Sequence, residues 1–281
     1  ILVALVISYM TSAATSLDKG IKWLSNINMG LAVFLALFIL IAGPTDYLLA
    51  TFVTSIGDYL SNIVGISLQL YPFSGVDDWL GSWTLTYFIW WIAWAPFVGI
   101  FIARISRGRT IREFVIGVLI APTIVSVFWF AIFGGTALHE ELHGAGGIAE
   151  VVSANVTVAL FTLFERLPGT NLLSVVSLVL IFIFVVTSVD SATFVLGMLT
   201  SQGSIDPPRN RKLAWGISLG AMSAGLLVAG NIDTVKAVAV MGAVPFALVL
   251  LLQVAALIRT LPKDMKKEPP PSKSSEEEVA P

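Results

Sequence analysis

The chain has 281 residues, 56% of them hydrophobic and only 12% charged, with a mean hydropathy of +0.88. Soluble domains carry about 25% charged residues, so a globular enzyme with a large core is excluded in favour of a polytopic membrane protein. The lack of cysteine excludes disulfides, thiolate metal sites and a cysteine nucleophile, and the net charge of -2 says little by itself because its distribution matters more than its sum.

Ile1 to Ala14 reads as the end of a first span cut at its start. An apolar run without Met, basic leader or cleavage site fits a chain that begins within a helix, not a signal peptide. Asp18, Lys19 and Lys22 follow in a short polar turn. A second span is expected over Met29 to Ala42, closed by Gly43-Pro44, with Ser25, Asn26 and Asn28 at its start as candidates to line an exit path. From Thr45 to Leu80 the hydropathy falls. Phe52, Ile56, Tyr59, Leu60 and Ile63 recur near helical spacing with Asp58, Ser61 and Asn62 opposite, the pattern of an amphipathic helix in an extracytoplasmic loop over 45–80. The pattern also fits a solvated surface helix with no mechanical role.

From Ser82 to Ala103 no residue is charged over 22 positions, which at about 1.5 Å per residue crosses a bilayer core of about 30 Å. Trp90, Trp94 and Phe97 stand at i, i+4 and i+7 with Tyr87 and Trp91 beside them, so rings line one side of this helix; Pro96 and Gly99 are expected to interrupt it. Two readings fit the cluster. Large rings can fill space between helices, or they can box a quaternary ammonium group, which offers no hydrogen-bond donor and is held by π-faces at about 0.5–2 kcal/mol per contact.

The run Gly81-Ser82-Trp83-Thr84, Tyr87, Trp90-Trp91, Trp94, Pro96-Phe97-Val98-Gly99, continued by Ala103-Arg104-Ile105-Ser106-Arg107-Gly108-Arg109-Thr110-Ile111-Arg112-Glu113, closely resembles the signature of the betaine/carnitine/choline transporter (BCCT) family. Phe88 departs from it, where members usually have Trp, and so does Thr86, where an aromatic is common. Phe88 keeps a ring but loses the indole N–H. The resemblance extends to about Arg259 and implies an all-α polytopic membrane protein with an inverted-repeat (LeuT-like) transporter core, of which this is the C-terminal part. It implies that Trp90, Trp91, Trp94 and Tyr87 cage a trimethylammonium group jointly with aromatic residues outside this sequence. It also implies a homotrimer, and a surface helix in 45–80 that couples the two halves of the transporter.

Further apolar segments cover Phe114 to Phe133, Asn171 to Met198, Leu213 to Ala229 and Val235 to Ile258, giving about seven spans within a transmembrane domain over 1–259, the first truncated. Fourteen of the sixteen Lys and Arg fall on one side of these spans, among them Lys19, Arg104, Arg107, Arg109, Arg112, Arg209 and Arg259; only Arg166 and Lys236 fall on the other. The positive-inside bias makes the first side cytoplasmic, with the C-terminus. Residues 260–281, with Pro269-Pro270-Pro271 and Glu276 to Glu278, read as a disordered cytoplasmic tail. The Arg104–Arg112 loop could contact anionic headgroups, and Gly220, Ala221, Ala224 and Gly225 suit close helix contact.

Thr187 and Ser188 lie deep in an apolar helix, where hydroxyls either bond back to carbonyls one turn earlier or supply part of an oxygen shell for sodium. Asp190 nearby is an acid inside a span, which is costly and usually faces a cavity or partner. Thr187-Ser188-Val189-Asp190-Ser191 resembles the sodium-coupled members of the family; carried over, this implicates Phe184 through its carbonyl, Thr187 and Ser188 in one ion site, and Phe97 at the border of a second. No cofactor is implied beyond sodium as coupling ion.

His139-Glu140-Glu141-Leu142-His143 satisfies H-E-x-x-H, the two-imidazole zinc pattern with a catalytic Glu. It is expected in an outward loop after Phe133-Gly134-Gly135-Thr136, with Gly144, Gly146 and Gly147 following at once so that a long helix holding both His on one face is unfavourable; Glu150 or Glu165 is the candidate third ligand, and Ala149 stands where an extended motif would place a third His. The expectation is therefore secondary transport of a quaternary ammonium compatible solute (glycine betaine, choline or carnitine) across the plasma membrane for osmoprotection, by symport with sodium. Sodium-independent antiport or proton coupling is the alternative, and an intramembrane zinc peptidase using His139, Glu140 and His143 a remote one. Substrate, sodium and membrane lipid are the expected partners, and nucleic acid is not.

Overall fold

A computed structural model of the chain describes residues 2–14, 20–106, 108–204, 206–229 and 232–265. Among the described residues all regular structure is helical: α1 (Leu2–Ala14), α2 (Gly20–Ala42), α3 (Thr45–Ser67), α4 (Asp77–Leu80), α5 (Thr86–Ile105), α6 (Ile111–His143), α7 (Ile148–Ala154), α8 (Ala159–Phe164), α9 (Thr170–Leu199), α10 (Arg209–Ala229) and α11 (Ile232–Met265). Among the described residues six stretches are long and apolar enough to cross a membrane, namely Trp23–Ala42, Thr45–Ser67, Asp77–Ile105, Ile111–His143, Thr170–Leu199 and Ala237–Leu261. The protein is an all-α, multi-pass membrane protein.

These six are not the expected seven. Thr45–Ser67 enters the set because Asp46 and Asp58 are its only charges. The stretch expected over Leu213 to Ala229 forms most of α10 but is not in the set, since Arg209-Asn210-Arg211-Lys212 opens the helix and lowers its apolarity. Helix α11 continues through Pro262 to Met265, where the tail was expected to have begun. A proline this close to a helix end frees only one carbonyl, which water can satisfy. Residues 266–281 lie outside the described residues, as do Asp18, Lys19 and Arg107.

The backbone packs as two units. The first comprises Ile1–Tyr71 and Phe101–Gly225. Its core is built where α2 lies between α6 and α9: Leu35 and Ile39 meet Ile132, Leu173 and Leu180, and Phe164 of α8 closes one end, all essentially buried. Helix α3 leaves α2 at Gly43-Pro44, where Thr45 Oγ1 donates to the Leu40 carbonyl at 2.7 Å. It rests on α6 through Leu48, which a Cβ on Gly135 would approach to 3.0 Å, and through Phe52, edge-on to Phe128 at 5.4 Å. From Gly57 onward every residue of α3 is exposed.

Helix α10 meets α1 through small residues. Tyr9 Oη donates to the Gly216 carbonyl at 2.7 Å, and a Cβ on Gly220 would stand 2.7 Å from that same hydroxyl oxygen. Gly220 thus makes the close approach expected of it, whereas Gly225 faces open space and Gly216 was not anticipated. The second unit comprises Pro72–Ile100 and Leu226–Pro281. In it Phe97 of α5 packs edge-on against Phe246 of α11, ring centres 5.4 Å apart, beside the buried Pro96 and Ala243.

Candidate functional site

The aromatic cluster forms a ladder on one helix face. Trp83 stacks on Tyr87 at 6.0 Å with planes 8° apart, Tyr87 meets Trp90 edge-on at 6.2 Å, and Trp90 stacks on Trp94 at 5.7 Å and 20°. Trp91 flanks it, 5.9 Å from Trp90 and 5.8 Å from Trp94. The spacing i, i+4, i+7, i+11 aligns these rings because each step of three or four residues returns to the same face. All five residues are exposed, at 41% to 56%, so much of their ring surface stays open although Trp83 and Tyr87, and Trp90 and Trp94, cover part of each other's faces. Trp83 extends the ladder beyond the expected Tyr87, and its place four residues before Tyr87 is the signal for it in the sequence.

The irregularity in this segment lies away from its expected place. Helix α5 runs unbroken through Pro96 and Gly99, and the distortion comes earlier, as a π-helical turn over Gly81–Leu85 between α4 and α5. There Thr86 Oγ1 donates to the Gly81 carbonyl at 2.9 Å, so a hydroxyl satisfies a group the wider turn displaces. Pro96 still has a local effect: without an N–H it leaves the Ile92 carbonyl with no donor four residues on, in the turn beside Trp94.

In the first unit, one turn of α9 carries the expected hydroxyl pair. Thr187 Oγ1 donates to the Ile183 carbonyl at 3.0 Å and to the Phe184 carbonyl at 3.1 Å, while Ser191 Oγ donates to the Thr187 carbonyl at 2.8 Å. Phe184 and Ser188 are exposed and Thr187 half-buried, three residues that the i, i+3, i+4 spacing places on one face of α9. Asp190 is buried at 3% exposure, and its carbonyl accepts from Thr193 Oγ1 at 2.7 Å. Phe97 lies in the second unit, held by Phe246.

A cationic cluster went unforeseen. The Arg104 guanidinium carbon sits 4.1 Å above the buried Phe194 ring, and Lys212 Nζ stands 5.8 Å from the same ring. The sequence placed Arg104 in a loop facing lipid; it turns inward because the last turn of α5 brings its side chain onto α9. Arg109 and Arg112 are exposed. Of the residues proposed for an exit path, Ser25 and Asn26 are exposed, while Asn28 is buried with its Oδ1 lacking a hydrogen-bond partner.

The H-E-x-x-H segment also differs from expectation. Both histidines lie on α6, which continues past Gly134-Gly135 to His143. Those glycines do not end the helix because the missing side chain of Gly135 lets Leu48 approach, and contact with α3 offsets the loss of about 1 kcal/mol per helical Gly. The helix ends at Gly144, and Gly146 and Gly147 take left-handed φ of 68° and 81°. Among the described residues no three His, Cys, Asp or Glu side chains converge on one point, so the third ligand of a peptidase zinc is missing there.

Exposed aromatic and hydroxyl strips on apolar, membrane-length helices mark a polytopic membrane protein. The chain belongs to the betaine/carnitine/choline family of transporters, whose family model (BCCT, betaine/carnitine/choline family transporter) matches residues 1–266. It is 47% identical over 263 residues to an ectoine/hydroxyectoine transporter of Virgibacillus pantothenticus, covering 94% of this chain and 52% of that protein. It is 45% identical over 268 residues to the glycine betaine transporter OpuD of Bacillus subtilis, covering 95% and 52%, and 37% identical over 272 residues to the high-affinity choline transport protein of Escherichia coli K12, covering 95% and 40%. The chain spans about half the length of these relatives. Proteins of this family are transporters, which leaves the peptidase reading without support.

Proposed function

We propose that this chain is the C-terminal part of a secondary transporter, of inverted-repeat architecture, that carries a quaternary ammonium compatible solute across the plasma membrane by sodium symport. The observation that carries this is the Trp83–Tyr87–Trp90–Trp94 ladder, with Trp91 beside it: exposed π-faces 5.7 to 6.2 Å apart on an apolar helix suit a methylated cation that cannot accept or donate hydrogen bonds. The relatives named for glycine betaine and choline support the quaternary ammonium class, and the one named for ectoine supports only the wider class of compatible solutes. Phe184, Thr187 and Ser188 supply oxygens for sodium, with Phe97 beside a second ion.

The charge pattern supports a cytoplasmic C-terminus and an α3 that lies along the membrane surface. With α3 outside the count of crossings and α10 within it, Lys and Arg divide fourteen to two; if α3 crosses, Lys19 and Lys22 change sides and the division weakens to twelve and four. The experiment is tryptophan fluorescence of the full-length transporter, reconstituted and titrated with glycine betaine, choline, carnitine and ectoine with and without sodium. A saturable, sodium-dependent change for one solute is the expected result, and no response to any of them overturns the reading. The alternative is sodium-independent exchange, with the Thr187 hydroxyl serving only as a helix hydroxyl that donates back to the Ile183 and Phe184 carbonyls. A fluorescence change indifferent to sodium would select it.

A further inference from the structure

We propose that His139 and His143 form a two-histidine site for a divalent transition-metal ion such as Zn2+, separate from the solute and sodium sites. Positions i and i+4 of one helix share a face, and the two rings stand with centres 5.2 Å apart and planes 31° apart. Two imidazoles on one tetrahedral zinc, each at about 2.0–2.1 Å through nitrogen, have ring centres about 5 Å apart. The pair therefore holds that spacing before any ion arrives.

The surroundings assign the nitrogens. His139 Nδ1 is buried without a hydrogen-bond partner, and Glu140 Oε1 stands 4.0 Å from it. A closure of about 1 Å would make it donate to that carboxylate, the arrangement that orients metal-bound histidines, leaving Nε2 as the ligand. The Tyr47 ring, 5.2 Å from His139, restrains the imidazole from the other side. His143 is exposed, so an ion in solution reaches the pair directly, at the end of α6 where the helix dipole favours positive charge. Glu141 is held toward α7: its Oε2 accepts from the Ile148 and Ala149 backbone N–H groups at 2.7 and 3.2 Å. With no third protein ligand converging among the described residues, water completes the shell. That shell makes the ion exchangeable and the site responsive to metal in the medium. Imidazole ligands select Zn2+, Cu2+ or Ni2+ and not a hard cation, which distinguishes this site from one for sodium.

The test is zinc competition against a chromogenic chelator, using the full-length transporter in detergent after removal of any polyhistidine tag. One Zn2+ per chain is expected, with affinity falling at least tenfold in His143→Ala and in His139→Gln. His143 is exposed, so His143→Ala should elute and melt like the parent, which separates loss of a ligand from loss of fold. Zinc uptake unchanged in His143→Ala, or no higher in the parent than in the double variant, overturns the proposal.

Discussion

At the scale of single residues, the ladder and the hydroxyl pair make opposite demands on substitution. Trp94 touches both Trp90 and Trp91, so Trp94→Leu removes one π-face and unsettles two others. With each cation–π contact at about 0.5–2 kcal/mol, the solute Kd should rise about tenfold. Equilibrium binding of the radiolabelled solute measures this, and an unchanged Kd would assign the rings to packing. Thr187→Val deletes a hydroxyl at nearly constant shape, and the Ile183 and Phe184 carbonyls keep their backbone bonds in α9. The sodium concentration for half-maximal uptake should rise several-fold, with Thr187→Ser close to the parent; identical sodium curves for all three would remove Thr187 from the ion site. The ring ladder was legible in the sequence because it lies within one helix, where spacing alone sets the face. The Arg104–Phe194 contact was not, since it joins positions on two helices whose approach no local pattern encodes.

At the scale of elements, the contacts that set helix approach are made by residues with little or no side chain. Gly220→Ile would drive atoms into the Tyr9 hydroxyl and Val6, at 2.7 and 3.2 Å already from the first added carbon. Overpacking of this kind costs about 1–3 kcal/mol, which should lower the melting temperature in detergent, whereas Gly225→Ile in open space should leave it unchanged. Equal melting temperatures would mean that α1 and α10 part easily. The turn from α6 to α7 depends on a different device: Glu141 receives two backbone N–H groups of α7 and Arg166 Nη2 donates to the Gly146 carbonyl at 3.0 Å. Glu141→Ala leaves two donors uncapped and should cost about 0.5–2 kcal/mol, read as faster amide exchange over 148–154; unaltered exchange would show that the glycine turn suffices. Helix identities were largely legible here, as the close match between the expected Asn171–Met198 and the observed Thr170–Leu199 shows. Helix lengths were less so. The extension of α6 past two glycines depends on Leu48 of another helix, and small-residue contacts look alike in sequence whether or not a neighbour arrives, as Gly220 and Gly225 demonstrate.

At the scale of the whole molecule, the lack of any cysteine makes the chain a ready background for mapping sidedness. In the proposed orientation, a single cysteine at Gln69 or Ser153 should react with a membrane-impermeant maleimide added outside intact cells, and one at Arg109 only after permeabilisation. Labelling at Gln69 that needs permeabilisation would make α3 a true crossing. The pairing of Phe97 with Phe246 also has a consequence for synthesis. The partner ring emerges 149 residues after Phe97, which at about 5–20 residues per second is a wait of roughly 7–30 s on the ribosome. During that interval α5 sits in the bilayer without α11, and its unbroken run of uncharged residues lets lipid stand in for the missing neighbour. The same aromatic, charge-free surface proposed to receive a solute is therefore what allows the nascent helix to survive its own assembly.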